Sequence, residues 1–140
     1  MAADITVTAA KVGLVDPGKA IVKSYIASVT ITKGQAVYIT TAGKVALADD
    51  NTSGAHQFRG IALNGGGAGQ AIDVCEDGEL YGFTLTAVAY DGLVYLSQTA
   101  GALYDTAVGN NIVCGRCEPL ADKDLTKVLR VFVQREADWA

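Results

Sequence analysis

The feature that most constrains this sequence is that its apolar residues occur in short runs, which glycines interrupt. The 140-residue chain has sixteen glycines and two prolines. No window of eleven or more residues has a convincing 3.6-residue apolar period, and only residues 119–127 suggest about one or two helical turns. Short runs rich in Val, Ile and Thr, bounded by glycine, are typical of strands. The sequence therefore predicts an all-β fold, a jellyroll-like β-sandwich or compact barrel of roughly ten short strands with little helix.

One phrase occurs twice. GQAVYITTAG (34–43) and GLVYLSQTAG (92–101) each begin at a turn glycine, continue as an apolar run and reach a second glycine turn. Each copy has the pattern of a hairpin. A duplicated hairpin and a chance recurrence both explain the pattern. If the hairpin is duplicated, Tyr38 and Tyr95 are expected in similar half-buried positions.

The length indicates one domain. We expect a single β domain over 1–140, with a possible N-terminal arm and the first strands in 1–33 and a body with the repeated hairpin in 34–140. Within the body, Asp77-Gly78 lies between two apolar runs. Asp-Gly between such runs predicts a tight hairpin turn.

Charge is unevenly distributed along the chain, which carries a net charge of −4. Residues 1–33 hold four lysines and two acids, whereas residues 34–113 hold two bases and eight acids. No basic stripe is present, so a nucleic-acid partner is not expected. No uncharged apolar stretch is long enough to span a membrane, and no signal peptide is visible. Synthesis in the cytoplasm and no membrane partner are expected.

Cysteine and histidine are the first candidates for chemistry. Cys114 and Cys117 have C-x-x-C spacing, but zinc needs four ligands, and Cys75 and His56 are each alone in their regions. Strand alternation would place Cys114 and Cys117 on opposite faces. We therefore expect three free thiols, with Cys75 and Cys114 inside the core, and neither a metal nor a cofactor. The glycine-rich stretch 64–70 precedes an apparent strand rather than a helix, which disfavours a nucleotide loop.

Paired carboxylates are the remaining catalytic candidates. Asp73 and Glu76 lie near the expected turn at 77–78, and such a pair could serve a small carbohydrate-active enzyme. Charged hairpin tips are common, and the single Trp, Trp139, provides little aromatic platform for a sugar. The expectation is that the protein is not an enzyme and has no catalytic residues.

The order of several phrases resembles a known family. KGQAVYITTAGKVALAD, FRGIALNGGGAGQAIDVCEDGEL and DGLVYLSQTAG follow one another over roughly 32–117. This order is similar to that of the small capsid decoration, or cement, proteins of tailed bacteriophages. The resemblance implies a structural virion protein on the outer surface of the capsid, which bridges major capsid protein subunits and stabilises the head. It also implies a homo-oligomer, and the weakly charged stretches 83–90 and 93–100 are candidates for self-contact.

The lysine-rich N-terminal segment is the candidate for capsid contact. The residues proposed are Ile5, Val7, Lys11, Lys19 and Lys23. The alternation from Ile5 to Thr8 could add a strand to an exposed sheet edge on the capsid protein. Alternatively, Ile5 and Val7 pair within the protein's own sheet. Two other functions stay open: a phage receptor-binding or fibre-associated β domain, and the carbohydrate-active enzyme.

Overall fold

Ten short strands and two single 3-10 turns make up the regular structure of the described part of the chain. The computed structural model describes residues 3–51, 55–107, 109–120 and 126–133. The 3-10 turns are Ala9–Lys11 and Pro17–Lys19. The strands are β1 (Gly13–Leu14), β2 (Ile21–Ile26), β3 (Ala36–Ile39), β4 (Val45–Leu47), β5 (Phe58–Ala62), β6 (Ala71–Tyr81), β7 (Leu93–Leu96), β8 (Leu103–Tyr104), β9 (Val113–Pro119) and β10 (Lys127–Val131).

The strands form one curled antiparallel sheet, a half-barrel, in the order β4-β3-β5-β6-β10-β9-β7-β8. β1 and β2 lie off this path, and both pair with β6. The prediction of an all-β fold, a sandwich or compact barrel of about ten strands, is confirmed. None of the helical turns in the described residues has the length and apolar character that crossing a bilayer would need.

The sheet consists of two units with the same connectivity. The first unit has the order β4-β3-β5-β6 and the second has the order β8-β7-β9-β10, and the units meet where β6 pairs antiparallel with β10. Each unit has a β-bulge in front of its tyrosine, between Val37 and Tyr38 in the first and between Val94 and Tyr95 in the second. Both tyrosines are half-buried, so their predicted equivalence is confirmed.

A pair of buried glycines extends this correspondence beyond the hairpin. Val37 lies opposite Gly60, as Val94 lies opposite Gly115. A Cβ atom at Gly60 would lie 2.3 Å from the carbonyl oxygen of Cys75, and one at Gly115 would lie 2.2 Å from that of Arg130. Glycine at each site therefore permits a close approach between neighbouring backbones. The repeated phrase is the part of a duplicated four-strand unit that remains visible in the sequence.

The tight turn predicted at Asp77-Gly78 is wrong. β6 continues through both residues as an eleven-residue strand. Gly78 has φ of +153°, and a Cβ atom there would lie 2.9 Å from the Cβ of Ala20. This glycine marks a place where another segment approaches a strand, which is the other common meaning of glycine within a strand pattern. The described residues of 119–127 contain no helical turn. β9 ends at 119 and β10 begins at 127, and 121–125 lie outside the described residues.

Buried apolar residues form two clusters. The main core includes Ile61, Leu80, Leu96 and Leu129. The second cluster is smaller and comprises Ala27, Ile31, Val37, Val45, Ala62, Ile72 and Val74. Neighbouring residues along β5 and β6 belong to different clusters because successive side chains of a strand point to opposite faces.

All three cysteines are free, and Cys75 and Cys114 are buried, as predicted; Cys117 is buried as well, and all three belong to the main core. The expectation that Cys114 and Cys117 face opposite sides is wrong. Gly115 lies opposite Val94 and Val113 opposite Tyr95, so Cys114 is the extra residue of the bulge. One extra residue shifts the alternation of side chains, which brings both thiols to the same core.

The N-terminal strap, residues 3–31, covers edges that the eight-strand path leaves open. The Ile5 N–H donates to the carbonyl of Leu103 in β8 at 2.8 Å. Next, β1 and β2 pair with β6, and the Ser28 N–H donates to the carbonyl of Val45 in β4 at 2.9 Å. β8 and β4 are the two ends of the path. The strap therefore satisfies backbone groups at both ends of the sheet, which would otherwise be free to pair with another chain.

Candidate partner-binding surface

The most exposed apolar surface of the protein lies on and beside β2. Seven large apolar residues are exposed in the described part of the chain, and four of them, which we term the β2 patch, are Ile21, Val22, Ile26 and Val29. Ile21 is 57% exposed, the highest value of the seven. Clustered exposed apolar side chains, unlike scattered ones, mark interaction surfaces.

β2 also presents a row of backbone groups. It pairs with β6, and directly after β2 Ala27 forms a parallel bridge to Val45 of β4, which covers the Ile26 end of the edge. The Ala27 N–H donates to the carbonyl of Gln70, so the backbone groups of Ala27 point toward β6. Because these groups alternate in direction along a strand, those of Val22, Ser24 and Ile26 point away from β6. Asp73 supports this assignment of directions. It lies opposite Ser24, and its carbonyl accepts from the N–H of Leu63, the residue that follows β5.

Side-chain contacts fix β2 on the sheet. The Tyr25 hydroxyl donates to the Glu76 carboxylate, which also accepts from Nε of Arg59 at 2.9 Å. The Glu76 side chain is only 12% exposed. Burial, together with the bond to Glu76, raises the pKa of Tyr25, so this phenol stays a donor at neutral pH. Ser24 in turn donates to the Asp73 carboxylate. The edge is therefore held in strand geometry before any partner arrives, which lowers the entropic cost of binding.

Three of the predicted contact residues lie on the part of the strap that runs along β6. Lys11, Lys19 and Lys23 are all exposed, and none forms an ion pair with the residues that the structure describes. The strap runs antiparallel to β6. At one end of this stretch the Thr8 N–H donates to the carbonyl of Gly82, and at the other end Lys23 lies opposite Val74. At about 3.3 Å per residue, this distance along β6 is roughly 25 Å. The lysines are thus distributed over most of the length of the longest strand.

Lys11 lies at an open cleft of about 500 Å³, which Thr8, Tyr81, Thr84 and Lys127 also line. Nζ of Lys127 donates to the carbonyls of Leu85 and Val88 at 3.2 and 2.6 Å. The charge of Lys127 is therefore partly compensated by carbonyl oxygens, whereas Lys11 has no ion-pair partner among the described residues. The cleft combines hydroxyls with the exposed cation of Lys11, which suits an acidic or hydroxyl-bearing group of a partner.

The other two predicted contact residues do not contribute to this surface. Ile5 is 7% exposed and belongs to the main core, and Val7 packs partly buried against it. Asp4 bridges to Tyr104 and Val7 to Phe83. A free arm that adds a strand to a capsid sheet is therefore wrong for Ile5 and Val7, because their own sheet uses that segment.

Parts of the stretches predicted for self-contact pair within the protein. Tyr95 and Leu96 pair with β8, and Leu93 to Tyr95 pair with β9. Phe83 bridges to Val7, and the Thr84 N–H donates to the carbonyl of Thr6 at 2.9 Å. Sequence reasoning missed the exposed position of β2 at the side of the sheet. The available signal was Lys23-Ser24 in the middle of an otherwise apolar strand, since a lysine on a strand often marks an exposed edge.

The residues weighed for catalysis and metal binding are separated or engaged. No group of three or more His, Cys, Asp or Glu in the described ranges is arranged to hold a metal ion. His56 is 5% exposed, and its Nδ1 lies 3.5 Å from Nδ2 of Asn110. Asp73 accepts from Ser24, and Glu76 from Arg59 and Tyr25. These carboxylates serve the attachment of β2.

Comparison of the chain with protein-family models, with curated proteins and with solved structures gave no match.

Proposed function

We propose that the protein is a structural virion component, a capsid decoration protein. In this proposal it binds the outer surface of a tailed-phage head and bridges major capsid protein subunits. The order of sequence phrases over roughly 32–117 suggests the family. The observation that carries the proposal is the surface made by the strap and β2, with its exposed apolar residues and with lysines that form no ion pair among the described residues.

A surface of this kind suits a repeating partner. An exposed ion pair contributes only about 0.2–1 kcal/mol, and salt screens it. Two such contacts, at Lys11 and Lys19, would change affinity roughly 2- to 30-fold. On a capsid lattice, contacts of a bridging protein become intramolecular once the first is made, so weak contacts add by avidity. The rigid duplicated sheet holds these contacts at fixed spacing.

Co-sedimentation with undecorated heads of the encoding phage tests the proposal. The wild-type protein should bind in a saturable manner. The double variant Lys11→Gln/Lys19→Gln should bind roughly 2- to 30-fold more weakly at low ionic strength, and the difference should shrink in high salt. The control is Arg116→Gln, which removes an exposed charge from β9, a strand that pairs with β7 and β10 and not with the strap.

Wild-type protein that does not sediment with the heads, or that binds without saturation, would overturn the proposal. Saturable binding to host surface glycans in place of heads would support the receptor-binding alternative. A loss of binding in Arg116→Gln equal to that of the double variant would show that the lysines of the strap are not the contact.

A further inference from the structure

The cleft at Lys11 gathers positive charge on a protein that is acidic as a whole. The described residues that line it include two lysines, Lys11 and Lys127, and no aspartate or glutamate, although the chain carries a net charge of −4. We propose that this cleft binds the carboxylate of an aspartate or glutamate that a loop of a partner protein presents. The inference deepens the proposed function and rests on it for the identity of the partner, since the loop would then belong to the major capsid protein.

The ammonium group of Lys127 is oriented before any ligand arrives. Its Nζ donates to the carbonyls of Leu85 and Val88 and lies 5.2 Å from the centroid of the Tyr90 ring. An ammonium group has three N–H donors, so these two bonds hold the group in place and leave one donor for a ligand. Carbonyl oxygens and an aromatic ring attract a cation but carry no net charge. The positive charge of Lys127 therefore remains for an anion to neutralise.

The backbone at Lys11 is also fixed against the sheet. The Thr8 N–H donates to the carbonyl of Gly82, and the Lys11 N–H donates to the carbonyl of Thr8 at 2.9 Å. A Cβ atom at Gly82 would lie 2.8 Å from the backbone nitrogen of Val12, so glycine permits the strap to cross the strand at this short distance. The fold therefore sets the position of Lys11 at the cleft, and only its side chain has to adjust to a ligand.

The other polar groups of the cleft can donate to a carboxylate as well. The side chains of Thr8, Tyr81 and Thr84 line the cleft beside the two lysines, and all three residues are exposed. Carboxylate oxygens accept hydrogen bonds from ammonium and hydroxyl groups, and such charge-assisted bonds are stronger than bonds between neutral groups. The cleft thus offers donors of both kinds to an anion.

The size of the cleft and the charge around it decide which anion fits. Its volume of about 500 Å³ lies within the roughly 300–1,000 Å³ of typical ligand pockets. A small free carboxylate would occupy only part of this space, whereas a loop that carries an acidic side chain also fills it with neighbouring residues. A nucleic acid is disfavoured because residues 34–113, with two bases and eight acids, repel a polyanion. An acidic loop of a protein is therefore the occupant that matches the cleft.

NMR titration of the isotope-labelled full chain with a capped peptide, acetyl-Gly-Glu-Gly-amide, tests the proposal. The backbone amide resonances of Thr8, Gly82 and Thr84 should shift in a saturable manner over about 1–100 mM peptide, a range that suits a ligand with few contacts. The matched neutral peptide, acetyl-Gly-Gln-Gly-amide, should leave these resonances unchanged. High salt should weaken the binding of the glutamate peptide, because it screens exposed charges.

Two variants with the same change of charge separate the cleft from the general charge of the protein. Lys11→Gln should weaken binding of the glutamate peptide roughly 1.4- to 5-fold, the range of an exposed ion pair. Lys44→Gln removes an equal charge from the exposed turn between β3 and β4, and Lys44 does not line the cleft. This control should bind the peptide as the wild type does. Both lysines are exposed, so neither variant should change the melting temperature.

The proposal is overturned if the glutamate peptide causes no saturable shift at the cleft, if the glutamine peptide binds equally well, or if the two variants lose the same affinity. Saturable binding of the wild type to heads would in each case leave the proposed function standing. Saturation of the same amides by a neutral disaccharide, and not by the glutamate peptide, would assign the cleft to a glycan and likewise overturn the proposal. A glutamate peptide that fills the cleft of a protein that binds no heads would support the acidic ligand and refute the capsid protein as its source.

Discussion

Alanine at Gly60 or Gly115 should destabilise the protein strongly, because each glycine sits where two strands approach too closely for a side chain. The added Cβ atom would lie 2.3 and 2.2 Å, respectively, from a backbone oxygen, and at Gly60 also 2.6 Å from Cγ1 of Val74. Even weak C–H···O contacts have separations of about 3.3–3.6 Å. The neighbouring strands would therefore have to separate by roughly 1 Å within the packed interior.

The cost follows from overpacking and from backbone conformation. Forcing extra carbon into a packed core costs about 1–3 kcal/mol or more. Gly60 also has φ of +155°, which adds about 1–3 kcal/mol for a residue with a side chain. We expect Gly115→Ala to lower the free energy of unfolding by about 2–3 kcal/mol and Gly60→Ala by about 3–5 kcal/mol. At about 2–4 °C per kcal/mol, the melting temperature should fall by roughly 5–20 °C.

Urea denaturation at pH 7 measures these losses, and Gly13→Ala is the matched control. Gly13 also lies in a strand, but nothing stands within 4 Å of its Cβ position. The control should stay within about 0.5 kcal/mol of the wild type. If Gly60→Ala or Gly115→Ala behaves like the control, the close approach of the two backbones is wrong at that site. The paired glycines would then no longer support the equivalence of the two four-strand units.

Three further predictions follow from burial. Ile5→Ala should cost about 2–4 kcal/mol, whereas the exposed Val29→Ala should cost well under 1 kcal/mol, and equal small losses would restore the free-arm interpretation. Burial raises the pKa of Cys75 from 9.0 to about 11, and it also raises those of Tyr25, Cys114 and Cys117. These groups contribute their full stability below the pKa values they have in the unfolded chain, and this stability is lost as the pH rises through their pKa values in the folded protein. The urea midpoint should therefore fall above about pH 9–10. A constant midpoint up to about pH 11 would contradict this. A thiol reagent should find no reactive cysteine in native protein and three after denaturation, and fast native labelling would contradict the buried positions.

The fold class was predictable because it depends on patterns that are local in sequence. Short β-branched runs and frequent glycines allow few alternatives to an all-β sheet. The repeated phrase also located the two equivalent hairpins, including Tyr38 and Tyr95. The sequence shows no visible repeat in the remaining residues of each unit. Packing requires glycine at Gly60 and Gly115 but constrains the identity of the residues around them less.

The errors came from features that depend on distant contacts. Asp77-Gly78 has turn chemistry, but the approach of Ala20 explains its glycine. The bulge at Cys114 changes which face a thiol occupies, and a local pattern does not reveal an extra residue. Ile5 and most residues of β2 are apolar, and whether such a segment covers an edge or forms one depends on where the other strands lie.

Thermal release of packaged DNA from phage heads tests the central claim most directly. A decoration protein that bridges capsid subunits stabilises the assembled shell, since it binds the intact lattice better than the separated subunits. Undecorated heads mixed with saturating protein should therefore retain their DNA to a higher temperature than heads alone. The increase should reach a plateau at a fixed number of copies per head. Release at the same temperature with and without the protein, when the protein is present at high concentration, would contradict the account.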